Sequence, residues 1–259
     1  MPWLRQLRPA GLAAALARWL ARSSFGSRWV IGRLVEIGGN HVTVEGLTFS
    51  VDNPLITTRE KGQLCLGLHE ASEIALAHRH LVAGLPVIEL GGGIGVVACI
   101  INRKLAHPGD HIVVEANPDL IPTLETNRRV NRCEFQIRNA ALAYGGERVS
   151  VAIDSLMTSR VGAAGSREAV VATTTLANLL EESGFARVNL VADIEGAEAD
   201  LVEQEGMLLR DRVWTLILET HPRFAGIERT ARMLGAIQVL GFAEVDRSVN
   251  VFVFEKITS

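Results

Sequence analysis

The 259-residue chain is poor in cysteine, in aromatic residues and in long apolar runs, and each shortage excludes a class. Its three cysteines, Cys65, Cys99 and Cys133, are odd in number and far apart. They form neither a disulfide framework nor a CxxC metal pair, and they fit a reducing compartment. With no cysteine cluster either, a structural zinc site is not expected. No uninterrupted apolar run reaches ~18 residues, so no transmembrane helix is expected. Lys and Arg total 26 against 29 Asp and Glu, a net charge of -3, which argues against a general nucleic-acid binder. There is no internal repeat and no low-complexity tract.

What is abundant points elsewhere. Hydrophobic residues make up 48% of the chain, mostly Val, Leu, Ile and Ala, and there are 24 glycines. That is enough to bury a sizeable core, and it suits an α/β protein with a buried parallel sheet. The length fits one large domain, or one domain with an appendage.

Charge is unevenly spread. Residues 1–35 carry six arginines and no acid, so the other 224 residues hold a net charge of -9. Leu4, Leu7, Leu12, Leu16, Trp19 and Leu20 recur at helical spacing in this basic stretch. The pattern predicts an amphipathic helix that packs on the protein's own body or lies on an anionic membrane or a partner. Arg18 interrupts the apolar run, against a cleaved signal peptide. The expected location is cytoplasmic, at the inner face of the membrane if the helix meets lipid.

Past this segment, alternation over 33–36, 41–44 and 47–51 predicts short antiparallel strands, with turns at 38–40 and at Glu45-Gly46. Helical periodicity covers 70–83 and stops at Gly84. From Pro86 strands and helices alternate. Strands are predicted at 87–90, 111–116, 135–142, 188–194 and 214–220, and helices at 94–105, 118–130, 176–182, 197–205 and 228–240. Asn117 is the expected N-cap of the second of these helices, with Pro118 at its first position. Segments 149–154 and 170–174 read as an inserted hairpin with its tip at 162–166, and 243–247 pairs with 251–255 at the end. Right-handed βαβ crossovers then give a mostly parallel sheet closed by an antiparallel C-terminal pair. Residues 1–85 form an N-terminal part of basic helix, short strands and lead-in helix; 86–259 form the main domain.

The sharpest motif is Val87-Ile88-Glu89-Leu90-Gly91-Gly92-Gly93-Ile94-Gly95, set between a strand and a helix. Glycines there let the backbone turn sharply and let a ligand approach, outside the carboxyl ends of the strands. Glu115 ends the next strand, where a carboxylate can accept both hydroxyls of a ribose. Together they indicate a nucleoside-containing cofactor, NAD or S-adenosylmethionine. Dinucleotide sites favour GxGxxG with a phosphate at the helix N-terminus. The spacing here is E-x-G-x-G-x-G, and Glu89 would oppose a pyrophosphate while suiting the amino-acid end of S-adenosylmethionine.

From about Leu66 onward the chain resembles the FkbM-type S-adenosylmethionine-dependent methyltransferases, a class I group. The resemblance is carried by 89–95, Val114-Glu115-Ala116-Asn117-Pro118, Asn139-Ala140-Ala141-Leu142, Thr175-Leu176-Ala177-Asn178-Leu179-Leu180, Asp193-Ile194-Glu195-Gly196-Ala197-Glu198 and Leu218-Glu219-Thr220-His221. Two departures stand out: Glu89 replaces the usual Asp of the loop, and no lysine precedes D-x-E-G-x-E. The resemblance implies a Rossmann-like fold on a seven-stranded sheet and methylation of a hydroxyl, often on a sugar or polyketide. It implies cofactor contacts from Glu70, Glu89, Gly91, Gly93, Gly95, Glu115, Ala116, Asn139, Ala140 and Asp193. Glu73, beside Glu70, reads either as part of that acidic pair or as solvated helix face.

On the acceptor side, Asp193, Glu195 and His221 are the candidate catalytic residues, and Glu219 and His221 the candidate substrate contacts. Blander roles compete: Glu198 as partner of a helix dipole, Glu195 as a cap for backbone amides, His221 as a surface histidine. His69, His78, His80, His107 and His111 show no partner spacing that rises above surface or helix positions. Carboxylates suit a hard cation such as Mg²⁺, but no metal ligand set is assigned. The leading expectation is an O-methyltransferase for a sugar, glycan or secondary-metabolite hydroxyl, with its oligomeric state open. The alternatives are an NAD-dependent oxidoreductase, disfavoured by Glu89 and by the lack of a Tyr-x-x-x-Lys pair, and a non-catalytic relative in glycan synthesis.

Overall fold

A computed structural model describes residues 25–155, 158–161 and 167–257. The chain divides into two compact units between His69 and Glu70. Most of the predicted basic helix, and the hairpin tip at 162–166, lie outside the described residues.

In the first unit, helix α1 (Phe25–Ile37) packs on helix α2 (Thr58–Cys65), with the hairpin β1 (His41–Val44) and β2 (Leu47–Ser50) between them in sequence. The helices approach through two glycines. A Cβ on Gly32 would sit 1.6 Å from the Thr58 carbonyl oxygen, and one on Gly62 1.8 Å from that of Arg28. The segment 33–36, expected as a strand, is therefore helix. Four alternating residues fit either period; what decides is that Gly32 and Val35, three apart, are both buried, so one helix face meets α2. The Thr58 hydroxyl fixes the far end of this turn by donating to Glu36 at 2.7 Å.

Helix α2 escaped the periodicity reading but carries a legible start. The Thr57 side chain accepts from the Glu60 N–H at 3.3 Å, and the Glu60 carboxylate accepts from the Thr57 N–H at 2.6 Å, a capping box. The hairpin turns through Glu45 and Gly46, both at positive φ, and buries Val42, Val44, Leu47 and Phe49. The outer side of α1 leaves Trp29, Val30, Leu34 and Ile37 exposed. Among the described residues no helix is long and apolar enough to cross a membrane.

The second unit contains helix α3 (Ala71–His80) and then β3 (Val87–Leu90), α4 (Val96–Asn102), β4 (His111–Glu115), α5 (Ile121–Val130) and β5 (Gln136–Leu142). The insertion β6 (Arg148–Ser155), β7 (Thr158–Val161) and β8 (Arg167–Thr174) follows, then α6 (Leu176–Ser183), β9 (Val188–Ala192), α7 (Glu198–Arg212) and β10 (Val213–Glu219). Last come α8 (Pro222–Ala225), α9 (Ile227–Val239), β11 (Phe242–Ser248) and β12 (Val251–Lys256). The sheet runs β11-β12-β10-β9-β3-β4-β5-β8-β6-β7. β10, β9, β3, β4, β5 and β8 are parallel, and β12 is antiparallel to both neighbours. The Rossmann-like methyltransferase sheet of seven strands is thus present, from β5 to β11. The insertion extends it to ten, with β6 antiparallel to both β8 and β7.

One sheet face buries Ile88, Leu90, Ile112, Val114, Leu190, Ala192, Leu216 and Leu218 against residues of α6, α7 and α9, such as Leu179, Leu201 and Ile237. The chain leaves β3 to build β4 and β5 on one side, and returns to build β9 and β10 on the other. The carboxyl ends of β3 and β9 consequently flank the point where strand order reverses, where open α/β sheets bind ligands.

Two boundaries differ from expectation. Helix α5 begins at Ile121, because Asn117 Oδ1 accepts from the Asp119 N–H at 3.0 Å and closes a turn first. Helix α7 continues to Arg212 through a kink at Glu205 (φ -121, ψ 19). The Glu205 carboxylate accepts from the N–H groups of Leu176 and Ala177, at 2.8 Å each, and so anchors the N-terminus of α6.

Replacing Gly32 with valine should destabilise the chain by about 2–3 kcal/mol in urea unfolding, since the clash is with backbone that cannot turn aside. The exposed Gly26→Ala, with open space at its Cβ, should change stability by less than about 0.5 kcal/mol.

Candidate active site

The loop after β3 is held down by its backbone. The N–H groups of Gly91 and Gly92 both donate to the Val114 carbonyl, at 2.9 and 3.0 Å, and Gly95 starts α4. Gly91, Gly93 and Gly95 all have positive φ, at 92°, 52° and 85°. A Cβ on Gly91 would strike the Asp193 carbonyl oxygen at 1.8 Å, so the glycine loop lies directly against the end of β9. A Cβ on Gly93 would meet only Glu70 Oε1, at 3.9 Å, and would fill space above the loop.

Acidic side chains surround this loop. Glu115, at the end of β4, accepts from the Gly93 N–H at 2.7 Å and from the Asn117 N–H at 2.6 Å. Burial pushes its pKa up to about 7, although these backbone donors pull the other way. Asn139, beside it on β5, spends its amide on the carbonyls of Glu115 and Ala116, at 2.8 and 3.3 Å, and so ties the two strand ends together. Ala140 is buried next to it. Glu70, in a left-handed conformation, starts α3.

Glu89 lies inside the sheet, 2% exposed, with Oε2 3.3 Å from Nε2 of the fully buried His111. Neither atom is aligned for a hydrogen bond. Burial lifts the Glu89 carboxyl well above its usual range and lowers His111 to about 3, so this is a contact of neutral groups and not an ion pair. The sequence assigned His111 no partner, because the contact depends on β3–β4 register. His80 likewise has partners, Asp246 at 2.9 Å and Glu255 at 3.1 Å.

The second cluster sits at the ends of β9 and β10. His221 is its hub. Its Nδ1 is 2.8 Å from Glu198 Oε1, and its Nε2 is 3.4 Å from Asp193 Oδ1 and 3.8 Å from both Glu195 Oε2 and Glu219 Oε1. Glu198, 1% exposed, also accepts from the N–H groups of Ile194 and Gly196. Holding the turn amides thus belongs to Glu198, and not to Glu195, for which capping was the competing role. Glu195 instead has φ 51° and a buried Oε2 without a hydrogen bond. Glu219 accepts from Asn250 Nδ2 at 2.5 Å.

The electrostatics follow from this packing. Burial alone would lower the His221 pKa, but the Glu198 hydrogen bond and the charges of Glu198, Asp193 and Glu195 raise it to about 9. Asp193 is pushed well above the carboxylate range, by burial first and then by the charge of Glu219. Glu73, 5% exposed, is pushed up in the same way by burial and then by Asp193, Glu70 and Glu219. It faces the cluster and is not solvated. Asn250 escaped the sequence reading, and Glu73 and Glu198 were read there only with open roles. Glu73 proves to be part of the acidic pair with Glu70 and not solvated helix face; Glu198 positions His221, and Asn250, which positions Glu219, carries no sequence signal.

With this geometry in view, the chain matches the methyltransferase FkbM domain over residues 89–243. The chain belongs to the FkbM methyltransferase family. The match begins at Glu89 and takes in the glycine loop, the insertion and the acids from Glu89 to Glu219, but not Glu70 or Glu73. No curated protein matches. Among solved structures, a methyltransferase from Pyrococcus furiosus is 13% identical, covering 94% of this chain and 98% of that one, with a TM-score of 0.46. Fibrillarin of Aeropyrum pernix, solved with natively bound S-adenosyl-L-methionine, is 14% identical over 71% and 74% of the two chains, TM-score 0.40. A protein of the NADB-Rossmann superfamily from Streptococcus agalactiae is 11% identical over 71% and 67%, TM-score 0.45. Likenesses this distant decide nothing about chemistry.

The histidine hub makes a signed prediction. A folded pKa of about 9, above the unfolded value near ~6.5, stabilises the fold fully below ~6.5 and is lost as pH rises through 9. Urea stability should therefore fall between pH 7.5 and 9.5, beyond the window in which Glu115 titrates. In Glu198→Gln this fall should shrink, and the His221 imidazole followed by NMR should titrate nearer the ordinary histidine range. A His221 midpoint unmoved by that change would sink the assignment.

Proposed function

We propose that this FkbM-family methyltransferase moves a methyl group from S-adenosyl-L-methionine to a hydroxyl of a sugar, a glycan or a secondary metabolite. The observation that carries the reading is the acidic lining of the crevice: Glu70 and Glu115 border a glycine loop whose open face would be filled by a Cβ at Gly93. Such a cradle suits a ligand with ammonium and sulfonium cations and opposes a pyrophosphate. The bound cofactor supplies a methyl group made electrophilic by its positively charged sulfur.

The remaining work falls to the chain. Glu115, fixed by two backbone N–H groups, keeps acceptor capacity for a ribose diol. Asn139 and Ala140 border the space beyond it on β5, and Glu70 faces the cationic end. A hydroxyl acceptor must lose its proton as it attacks. Asp193, with a raised pKa and a buried oxygen free of hydrogen bonds, is the base, and Glu195 stands next to it. His221 is held as a cation, so it donates to or orients the acceptor and does not take its proton. Arg223 closes the rim, 3.8 Å from Glu195.

The Arg-rich first 35 residues and the exposed Trp29, Val30, Leu34 and Ile37 of α1 support a place for the enzyme at an anionic membrane face. In co-sedimentation, the full chain should bind vesicles containing phosphatidylserine but not pure phosphatidylcholine, and Leu34→Asp with Ile37→Asp should weaken this several-fold. Equal binding to both vesicle types, or none, refutes that placement.

Calorimetry should show S-adenosyl-L-methionine binding and no NAD binding, with Glu115→Ala weakening it roughly tenfold or more. Labelled methyl should pass to a glycan or small-molecule extract, and Asp193→Asn should cut kcat about 10²-fold or more. Absence of cofactor binding overturns the reading; binding without transfer marks a non-catalytic relative.

A further inference from the structure

The cluster at the ends of β9 and β10 has a feature that proton transfer leaves unexplained. One ligand-type atom from each of Asp193, Glu219 and His221 lies within 4.8 Å of the other two. His221 Nε2 stands 3.4 Å from Asp193 Oδ1 and 3.8 Å from Glu219 Oε1. Ligand atoms bound at about 2.1 Å around one ion are separated by roughly 3–4 Å, so these spacings admit a shared cation.

Each side is also braced from behind. Glu198 occupies His221 Nδ1 and leaves Nε2 aimed into the cluster, while Asn250 holds Glu219 at 2.5 Å. A carboxylate behind the imidazole is the usual support of a metal-ligating histidine. An independent sign comes from α3. Glu73 is 5% exposed, yet among the described residues it makes no hydrogen bond or ion pair, and the strongest charge acting on it is that of Asp193. Asp193 Oδ1 and Glu195 Oε2 are sealed from solvent without hydrogen bonds. Arg223 ion-pairs with Glu195 at 3.8 Å, lies over the Phe224 ring and is mostly exposed. Buried carboxylates in this number call for a compensating cation.

We infer that Asp193, Glu219 and His221 bind one divalent first-row cation at the acceptor side of the crevice. Imidazole with two carboxylates suits Mn²⁺, Fe²⁺ or Zn²⁺ better than Ca²⁺. Three protein ligands leave coordination positions for two oxygens of a hydroxylated acceptor, whose acidity the ion would raise. That role rests on the methyltransferase reading above; the existence of the ion site does not. With the ion bound, His221 has given up its Nε2 proton and Asp193 its place as base, so Glu195 and Glu73 are the carboxylates left to receive the acceptor's proton.

The test uses the full chain, stripped with chelator and free of cofactor, titrated with Mn²⁺ by calorimetry and by the electron paramagnetic resonance of free Mn²⁺. One Mn²⁺ per chain is expected, weakened at least tenfold in Glu219→Gln and in His221→Gln but not in the surface variant Glu228→Gln. Should the site variants fail to fold, the wild-type protein still decides: substoichiometric Mn²⁺ should broaden the imidazole NMR signals of His221 while leaving those of His107 sharp. No binding up to millimolar Mn²⁺, binding unchanged in both site variants, or broadening that spares His221 overturns the inference. Titrating the same samples with S-adenosyl-L-methionine separates the failures. Cofactor binding without Mn²⁺ removes the ion site alone, and Mn²⁺ binding without the cofactor removes the methyltransferase reading alone.

Discussion

The contact between His221 and Glu198 organises the far end of this sheet. Glu198 is a buried carboxylate at the start of a helix, and it meets three demands at once: two amides of the turn that follows β9 and the imidazole that follows β10. Removing it would free the turn that carries Asp193 and Glu195, and would release the one buried cation among those acids. The parallel sheet creates the problem that this contact solves. Strands that all point one way deliver their carboxyl ends, and whatever acids follow them, to one edge. Like charges there repel, and burial amplifies the repulsion because water is excluded. The pKa values of Asp193 and Glu73 rise in response, and that of His221 rises to offset them.

The fold and the site were legible to different depths. Alternating strands and helices from Pro86 onward follow from apolar period and glycine stops, as at Gly184, whose left-handed conformation ends α6. Those signals are local, so the sequence holds them. Failures came where a distant partner chose the structure. Residues 33–36 became helix because α2 receives Gly32, and α5 started late because Asn117 had a closer amide to bind. In the site, the glycine loop and the acids at strand ends are readable because topology alone brings strand ends together. What each acid does is not readable: Glu195 and Glu198 stand three apart in one turn, and only three-dimensional packing shows which of them holds the amides.

The same distinction bears on what kind of ligand the crevice accepts. A glycine loop at the switch point suits many nucleotides, and its backbone donors would as readily meet phosphate as carboxylate. Here Glu115 already occupies the Gly93 N–H, at 2.7 Å. A phosphate approaching that amide would have to displace a carboxylate and then remain beside Glu70. Each step costs electrostatic energy, and no lysine or arginine is bonded within the loop to offset it. A cationic ligand meets no such barrier. It leaves the Glu115 hydrogen bonds in place and lowers the repulsion among the acids around it. The net charge of -3 conceals this, since the basic first 35 residues cancel acid that the main domain gathers where its strands end. Selectivity at this site thus depends less on the glycine pattern than on which charges the strands deliver to it.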